Sequence, residues 1–578
     1  MHHHDPTETI QARWVLQDVD PVPVAALAES LSLPLPLARV LVARGYTTAE
    51  EVQEYWSPSL STLHPPEAFR DMALAVDRIR KATAGQEKIR VYGDYDVDGI
   101  SATTLLVKQL RRMEALVDYR IPSRFTDGYG IGVPAVRQAA EDGVKVLVAV
   151  DNGSVAYKAH AAAREAGIDM IVCDHHQAGD HRPDVLAHLN PKAPDAAYPF
   201  PDLCGAGIAW KLAQGLGATA QELTQYAVLG TVADMVPLRG ENRAIARFGL
   251  DRLNQAVDRG DPGLSALARV SGLHGRRIGG GQIGFQIGPR LNAAGRMEDA
   301  SAGVELLLAR EIEEARSIAL GLDASNLERR EIQERMYLTA MAQAEKEVRS
   351  GAYGLVLADR NWHSGVVGIV ASKVVETWSR PAILIAVDEQ GVGKGSGRSV
   401  PLFDLHSGLA GLEHLLDRFG GHVMAAGLTV REERIPEFRR LFQEQCREAL
   451  EGADLRPVVT CDAELGLSEL NEQFIELVDR GAPFGLGNAT PQFLVRNVRL
   501  AGELRILKDR HLKFQIASPV GRGVDCIGFG MAEEADLVRR HSASGLDLAA
   551  RVEINLWQNR RSVQLQLKAL RPASPGEL

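Results

Sequence analysis

Three carboxylates alternate over five residues in the stretch Val91-Tyr92-Gly93-Asp94-Tyr95-Asp96-Val97-Asp98-Gly99-Ile100. Acids this close repel one another, and an isolated buried carboxylate is very costly. Either the turn is solvated, with an acid capping the helix that follows, or a cation sits among the three. A divalent metal bound by oxygen ligands is the simplest such cation. Two later stretches favour the metal: Asp151-Asn152-Gly153 follows the apolar run 144–150, and Asp174-His175-His176 follows the run 168–173. Carboxylates mixed with imidazoles suit Mn²⁺ or Mg²⁺, and imidazole tilts the choice toward Mn²⁺. The chemistry reached from the residues alone is two-metal phosphoester hydrolysis, which needs no Ser or Cys nucleophile.

Groups so far apart in the chain need a scaffold that brings them to one place. Each follows a strand-like run, 88–92, 144–150 or 168–173, and helix-like segments such as 101–112 separate the runs. Such alternation predicts a parallel α/β sheet, whose carboxyl strand ends face the ligand. A helix over 71–84 leads into the first strand. Another strand, 117–122, empties into a turn where Arg124 can reach a phosphate or pair with the acidic cluster. Asp234, in Gly230-Thr231-Val232-Ala233-Asp234-Met235-Val236-Pro237, reads as a further ligand because the residues after it suggest burial.

Downstream, Arg290, Asn292 and Arg296 lie in a Gly/Ala-rich stretch where backbone amides can approach a phosphate. The alternative is a tight helix entry with surface arginines. Residues 300–350 read as helix broken at Gly321, a solvent-exposed connector with Asp323 or Ser325 capping its second half. A second α/β unit follows, with strands at 353–358 and 382–387. Between them, the turn through His363 and Gly365 opens a helix, a natural anion-binding geometry. The stretch Gly393-Lys394-Gly395-Ser396-Gly397-Arg398-Ser399 reads as a Gly-rich loop without Walker A spacing. His422, in the turn Gly420-Gly421-His422, reads on chemistry alone as a buried structural histidine. Alternating segments at 511–516, 551–556 and 562–567 predict a small β-barrel of OB type. Trp557, Arg560 and Arg561 at a strand tip offer stacking and backbone contacts to a single strand, or are a core Trp with surface arginines.

The motifs around Asp94–Asp98, Asp151, Asp174-His175-His176, Asp234, 288–296 and 419–428 occur in one order that resembles the DHH phosphoesterase superfamily, over residues 55 to 570. The likeness is closest to its single-strand-specific exonuclease branch. It implies an α/β fold in which an N-terminal DHH parallel-sheet catalytic domain is joined by a long connector helix to a second α/β DHHA1 domain and a C-terminal OB-like β-barrel. The expected boundaries are 1–55 for a helical extension, 56–300 for the DHH domain, 301–350 for the connector, 351–452 for DHHA1 and 453–578 for the OB-like domain.

The resemblance further implies two divalent ions, Mn²⁺ or Mg²⁺. Asp94 and Asp96 would hold one, Asp98, His175 and Asp234 the other, and Asp151 both; how Asp94, Asp96 and Asp98 divide between the ions stays open. Several members carry His four residues before the second acid, where this chain has Tyr92. Asp174 would orient a histidine and His176 would touch the phosphate. Arg124, Arg290, Asn292, Arg296, His363, Ser396, Arg398, Gly421 and His422 would bind substrate. The implied activity is 5′→3′ hydrolysis of single-stranded DNA to mononucleotides in recombination and repair. Sister activities on oligoribonucleotides or cyclic dinucleotides belong to shorter chains, and a non-catalytic scaffold would lack ligands that are all present here.

Composition agrees with a multidomain globular chain: 578 residues, 45% hydrophobic and 24% charged. A net charge of −10 excludes a broadly basic nucleic-acid-binding surface and confines any DNA path to a local channel. No apolar run is long enough for a membrane helix, and the N-terminus, with His2, His3 and His4, lacks the pattern of a secretory signal. The five cysteines have no paired spacing and read as reduced thiols. The expectation is a cytoplasmic monomer, independent of membranes, that acts on single-stranded DNA with a helicase and a single-stranded-DNA-binding protein as partners.

Overall fold

The computed structural model describes residues 12–123, 130–297, 300–519, 523–557 and 560–573, without the side chains of Met297 and Trp557. The described chain forms two compact units. One comprises Trp14–Gly288, Gly303–Arg316 and Val459–Leu578; the other contains Pro289–Ala302 and Ser317–Val458.

In the first unit a five-stranded, wholly parallel sheet is built from β1 (Ile89–Tyr92), β2 (Val117–Arg120), β3 (Val146–Val150), β4 (Asp169–Cys173) and β5 (Ala187–Leu189). Its order is β2-β1-β3-β4-β5. Every residue of β1 and β3 is buried, which explains why β3 reads as a continuous apolar run rather than an alternating one; in β1 the buried Arg90 is paired with Asp118 and Asp142. The order reverses between β1 and β3, and in open parallel sheets the crevice at such a switch point receives the ligand. Asp94–Asp98 follow β1 and Asp151 follows β3.

Helix α1 (Val97–Arg112) packs with α2 (Gly205–Gly215) and α3 (Thr224–Ala233). It starts at Val97 rather than Ser101, because the Asp96 carboxylate accepts from the backbone N–H of Asp98 and Gly99 at 2.9 and 3.1 Å and so caps it four residues earlier. Small residues Ser101, Ala102, Thr103 and Thr104 are fully buried and let the neighbouring elements close on it.

The C-terminal segment forms a seven-stranded mixed sheet. Phe474, Phe493, Phe514 and Leu548 share a core with Leu27, Leu41, Val52 and Tyr55 from the N-terminal helices. The N-terminal helices therefore act as one lid of the C-terminal β-domain. Tyr55 reinforces the join by donating its hydroxyl to Asn488 Oδ1 at 2.8 Å.

The second unit holds another five-stranded sheet, antiparallel except for the pair Leu355–Asp359 and Ala382–Val387. The readings of three segments of this region change. The helix Ile312–Arg349 runs unbroken through Gly321, and the interruption falls at 309–311. It is not a bare connector, since Met336, Ala340 and Ala344 are buried against Leu355 and Leu357; short side chains at helical spacing made that face look thin. Asp323 and Ser325 lie inside the helix and cap nothing. The glycine-rich stretch at 393–399 is mostly a strand, Val392–Arg398. Its alternate glycines face large apolar neighbours: a methyl at Gly393, Gly395 or Gly397 would lie 2.6 to 2.8 Å from Ile385, Leu428 or Leu405. Gly420, Gly421 and His422 likewise belong to a strand, Leu416–His422, and His422 is exposed rather than buried.

Candidate metal centre

Four segments of the first unit deliver acids and imidazoles to the carboxyl end of the sheet. His175, two residues past the end of β4, points one nitrogen at three carboxylates: Nε2 is 3.2 Å from Asp151 Oδ1, 3.6 Å from Asp234 Oδ2 and 3.8 Å from Asp98 Oδ2. Two trios of candidate ligand atoms lie within 4.8 Å of one another, Asp94–Asp96–Asp151 and Asp98–His175–Asp234; a third joins Asp151, His175 and His176. Asp151 thus belongs to a trio on each side.

The backbone is shaped for this convergence. Asp151 sits at φ 62°, a left-handed conformation uncommon outside glycine and asparagine, which turns its carboxylate inward at the end of β3. Asp98 is 1% exposed, and its two oxygens accept from the N–H of Gly205 at 2.6 Å and of Ala206 at 2.8 Å. The positive end of α2 therefore fixes this carboxylate. Such an approach needs glycine on both flanks: a methyl at Gly205 would lie 2.6 Å from Asp151 Cβ, and one at Gly230 would lie 2.2 Å from Asp98 Oδ1. Asp234 terminates α3, but Met235 beside it is 68% exposed at φ 57°. Asp234 itself is half-buried, and of the residues that follow it Val236 is buried while Met235 is not.

Electrostatics mark the cluster as short of positive charge. Burial, then repulsion by Asp98, Asp96, Asp94 and Asp234, raises the Asp151 carboxyl well above its ordinary range. Burial and Asp98 likewise push Asp234 up to about 8, and the same two causes raise Asp96. Burial lowers His175 to about 4, leaving a neutral imidazole of the kind metals prefer. Among the described residues, Asp151 Oδ1 and both ring nitrogens of His175 are buried without a hydrogen-bond partner. Orphaned carboxylate and imidazole atoms facing one another fit divalent cations, which would satisfy the donors and cancel the repulsion together.

Asp174 is not aimed at the trios. One of its oxygens, Oδ1, accepts from His175 N–H at 2.8 Å and from His176 N–H at 3.2 Å, and is 2.8 Å from His176 Nδ1; Oδ2 accepts from Ser154 N–H at 2.9 Å. Burial alone would depress His176, but the Asp174 contact and the surrounding acids raise it to about 8. The histidine that Asp174 orients through its ring is therefore His176.

The residues expected to bind substrate are distributed differently. Arg124 lies outside the described residues, as does the Trp557 side chain. In the second unit, Arg398 is drawn to Ser396 Oγ at 3.1 Å and Gly397 O at 2.8 Å, and burial lowers its pKa. Gly368, near the start of the helix Val367–Trp378, adjoins the same pair: a methyl there would lie 3.0 Å from Ser396 Oγ and 3.3 Å from Arg398 Nη2. A guanidinium, a hydroxyl and a helix N-terminus so gathered are groups that could hold an anion. His363 Nδ1 accepts from Gly365 N–H at 3.2 Å, and Arg296 donates to Gly365 O at 2.9 Å, so both brace the turn that leads to this helix.

Arg290 is paired with Asp323 at 2.8 Å, and Asn292 lies half-buried on the same helix, Gly288–Met297. The register His422↔Ala425↔Arg398 places His422 and Gly421 two strands from the arginine, a separation of roughly 10 Å. In the C-terminal sheet Arg561 is held by Glu472 and Glu476 at 3.0 and 2.9 Å, while Arg560 is exposed. Sequence reasoning missed Gly368 and the polar trio Ser154, His188 and Asn190 behind Asp174. The short strand β5 runs into Asn190, a signal of the same kind that flagged Asp151 and Asp174.

Three family models match the chain: the DHH family N-terminal domain over residues 88–236, the DHHA1 domain over 351–448 and the RecJ OB domain over 461–569. Among curated relatives, the single-stranded-DNA-specific exonuclease RecJ of Bacillus subtilis (strain 168) is 37% identical over 559 residues, 96% of this chain and 70% of that protein. Its counterpart in Escherichia coli (strain K12) is 34% identical over 564 residues, 93% of this chain and 96% of that protein. The crystal structure of RecJ in complex with Mn²⁺ from Thermus thermophilus matches with a TM-score of 0.82 at 29% identity, covering 98% of this chain and 80% of that one. The Mg²⁺ complex from the same organism gives 0.76 at 27% identity, covering 98% and 79%.

Proposed function

The chain belongs to the RecJ family of single-stranded-DNA-specific exonucleases, and we propose on that premise that it removes mononucleotides from the 5′ end of single-stranded DNA. The observation that carries this reading is His175 Nε2 within 3.2 to 3.8 Å of carboxylates from three separate segments. Asp94, Asp96 and Asp151 would hold one divalent cation, and Asp98, His175 and Asp234 a second, with Asp151 shared. Mn²⁺ or Mg²⁺ bound there would supply Lewis acidity to the scissile phosphate and lower the pKa of water.

The remaining roles belong to the protein. Asp98, fixed by the α2 amides, keeps its oxygens in place without reorganisation. Asp174 engages His176 Nδ1, which makes Nε2 the ring atom that would meet a phosphate oxygen and favours the protonated imidazole. Arg398, Ser396 and the start of the 367–378 helix bind a phosphate of the strand, and His363 and Arg296 shape that pocket. Arg124, Arg290, Asn292, Gly421 and His422 are assigned to the DNA path on the family pattern.

The protein acts in DNA recombination and repair in the cytoplasm, as a monomer, beside a helicase and a single-stranded-DNA-binding protein. Among the described residues no helix is long and apolar enough to cross a membrane. Digestion of 5′-labelled and 3′-labelled long single strands in Mn²⁺, beside duplex DNA and dinucleotides, tests the proposal. Early release of labelled mononucleotide from the 5′-labelled single strand is expected; preference for dinucleotides or for the 3′ end would overturn it.

A further inference from the structure

Behind the Asp174-His175-His176 turn lies a polar network with no part in the ligand set. Ser154, His188 and Asn190 are all buried, at 2, 7 and 2% exposure. Ser154 donates its backbone N–H to Asp174 Oδ2 at 2.9 Å. Its hydroxyl accepts from Asn190 Nδ2 at 2.7 Å and lies 3.0 Å from His188 Nε2. Asn190 Nδ2 also donates to the carbonyl of His176 at 2.9 Å, while Asn190 Oδ1 accepts from Lys192 N–H at 2.8 Å.

The Lys192 N–H fixes the Asn190 amide, both of whose protons are then spent, one on Ser154 and one on His176. Ser154 accepts from Asn190 on one lone pair, and its hydroxyl bonds a neutral His188 at Nε2, giving its proton or taking one according to the tautomer. Burial lowers the pKa of His188 and favours that neutral form. The backbone of His188 is tied down in turn, donating to Asp71 Oδ2 at 2.9 Å; Arg182 pairs with the same carboxylate.

We propose that Ser154, His188 and Asn190 are positioning residues, a clamp that holds the Asp174-His175-His176 turn at both its first carboxylate and its last carbonyl. His188 and Asn190 flank Leu189, the end of β5, so the turn is braced against the neighbouring strand rather than by its own loop. The inference rests on the metal-centre reading above, in which His175 is a ligand and His176 a phosphate contact. Ser154 and Asn190 act through Asp174 and His176 and touch no reacting atom.

Asn190→Asp keeps size and shape but replaces the donor that faces Ser154 and the His176 carbonyl. Ser154→Ala keeps the N–H to Asp174 and deletes the hub. Both are expected to weaken Mn²⁺ binding by about 10- to 100-fold, and to diminish the imidazole ¹⁴N modulation of bound Mn²⁺ in pulsed EPR. His188→Gln, whose amide offers both a donor and an acceptor to Ser154, should retain both signals, whereas His188→Leu should not. Melting curves of the metal-free proteins run alongside, so that Ser154→Ala remains informative if Asn190→Asp fails to fold. Affinities and modulation equal to the parent in both Ser154→Ala and Asn190→Asp would overturn the clamp. No Mn²⁺ binding by the parent protein would overturn the metal centre itself, and the clamp with it.

Discussion

Adding one methyl group at Gly230 is a sharp test of how the centre is held. Gly230 lies inside α3, where alanine is the better helix former by about 1 kcal/mol, so propensity alone predicts a more stable protein. The structure predicts the reverse. The new Cβ would lie 2.2 Å from Asp98 Oδ1 and 2.7 Å from Ala206 Cβ, which forces one of them away by about 1 Å to restore ordinary contact. Overpacking of a filled interior costs about 1–3 kcal/mol. Asp98 cannot step aside cheaply, because it accepts from Gly205 and Ala206, and a hydrogen bond to a charged group contributes about 1.5–3 kcal/mol. The net expectation is a loss of about 2–4 kcal/mol, with Mn²⁺ affinity falling as Asp98 is displaced. Denaturant unfolding of the metal-free protein and Mn²⁺ titration by calorimetry read the two effects separately. A Gly230→Ala protein as stable as the parent and equal in Mn²⁺ affinity would refute the reasoning.

Three further outcomes follow from the same geometry. Asp151 and Asp234 have carboxyl pKa values raised by folding, so the native state holds protons that the unfolded chain releases. Their favourable contribution is complete below the unfolded pKa near 4 and is lost as pH climbs to about 8 for Asp234, at up to about 1.4 kcal/mol per pH unit per group. Metal-free protein should therefore lose stability across that window and Mn²⁺ should restore it, as melting curves from pH 5 to 9 would reveal; a flat metal-free profile contradicts it. Asp151→Asn removes a repelled charge and suits the left-handed backbone, so the metal-free protein should melt higher while hydrolysis falls by about 100-fold or more; a gel assay beside a melt decides. Arg398→Ala should raise KM for single-stranded DNA and reduce the salt dependence of binding by about one phosphate contact, with Mn²⁺ affinity unchanged in titration.

The sequence was most legible where one residue type carries one physical meaning. The buried strands Val146–Val150 and Asp169–Cys173 announced themselves as mostly apolar runs, and an acid straight after each pointed to the ligand end of a parallel sheet. Asp94, Asp96, Asp98, Asp151, His175 and Asp234 could be gathered on that ground together with the family resemblance. What stayed hidden depends on contacts between distant segments. Nothing local in 393–399 says strand, because the alternating glycines only make sense against Ile385, Leu405 and Leu428. The start of α1 was misplaced because Asp96 serves as helix cap and candidate ligand together. Asn190 and Ser154 are ordinary polar residues in sequence, and only the fold shows that they bracket Asp174. Arg561 reads in sequence as available to DNA, whereas the fold brings Glu472 and Glu476, almost ninety positions away, onto it.

Anomalous diffraction from crystals soaked in Mn²⁺ tests the central claim most directly. Two peaks are expected at the carboxyl end of the parallel sheet, one ringed by Asp94, Asp96 and Asp151 and the other by Asp98, His175 and Asp234. Peaks elsewhere on the protein, or none at the cluster in crystals saturated with Mn²⁺, would contradict the account.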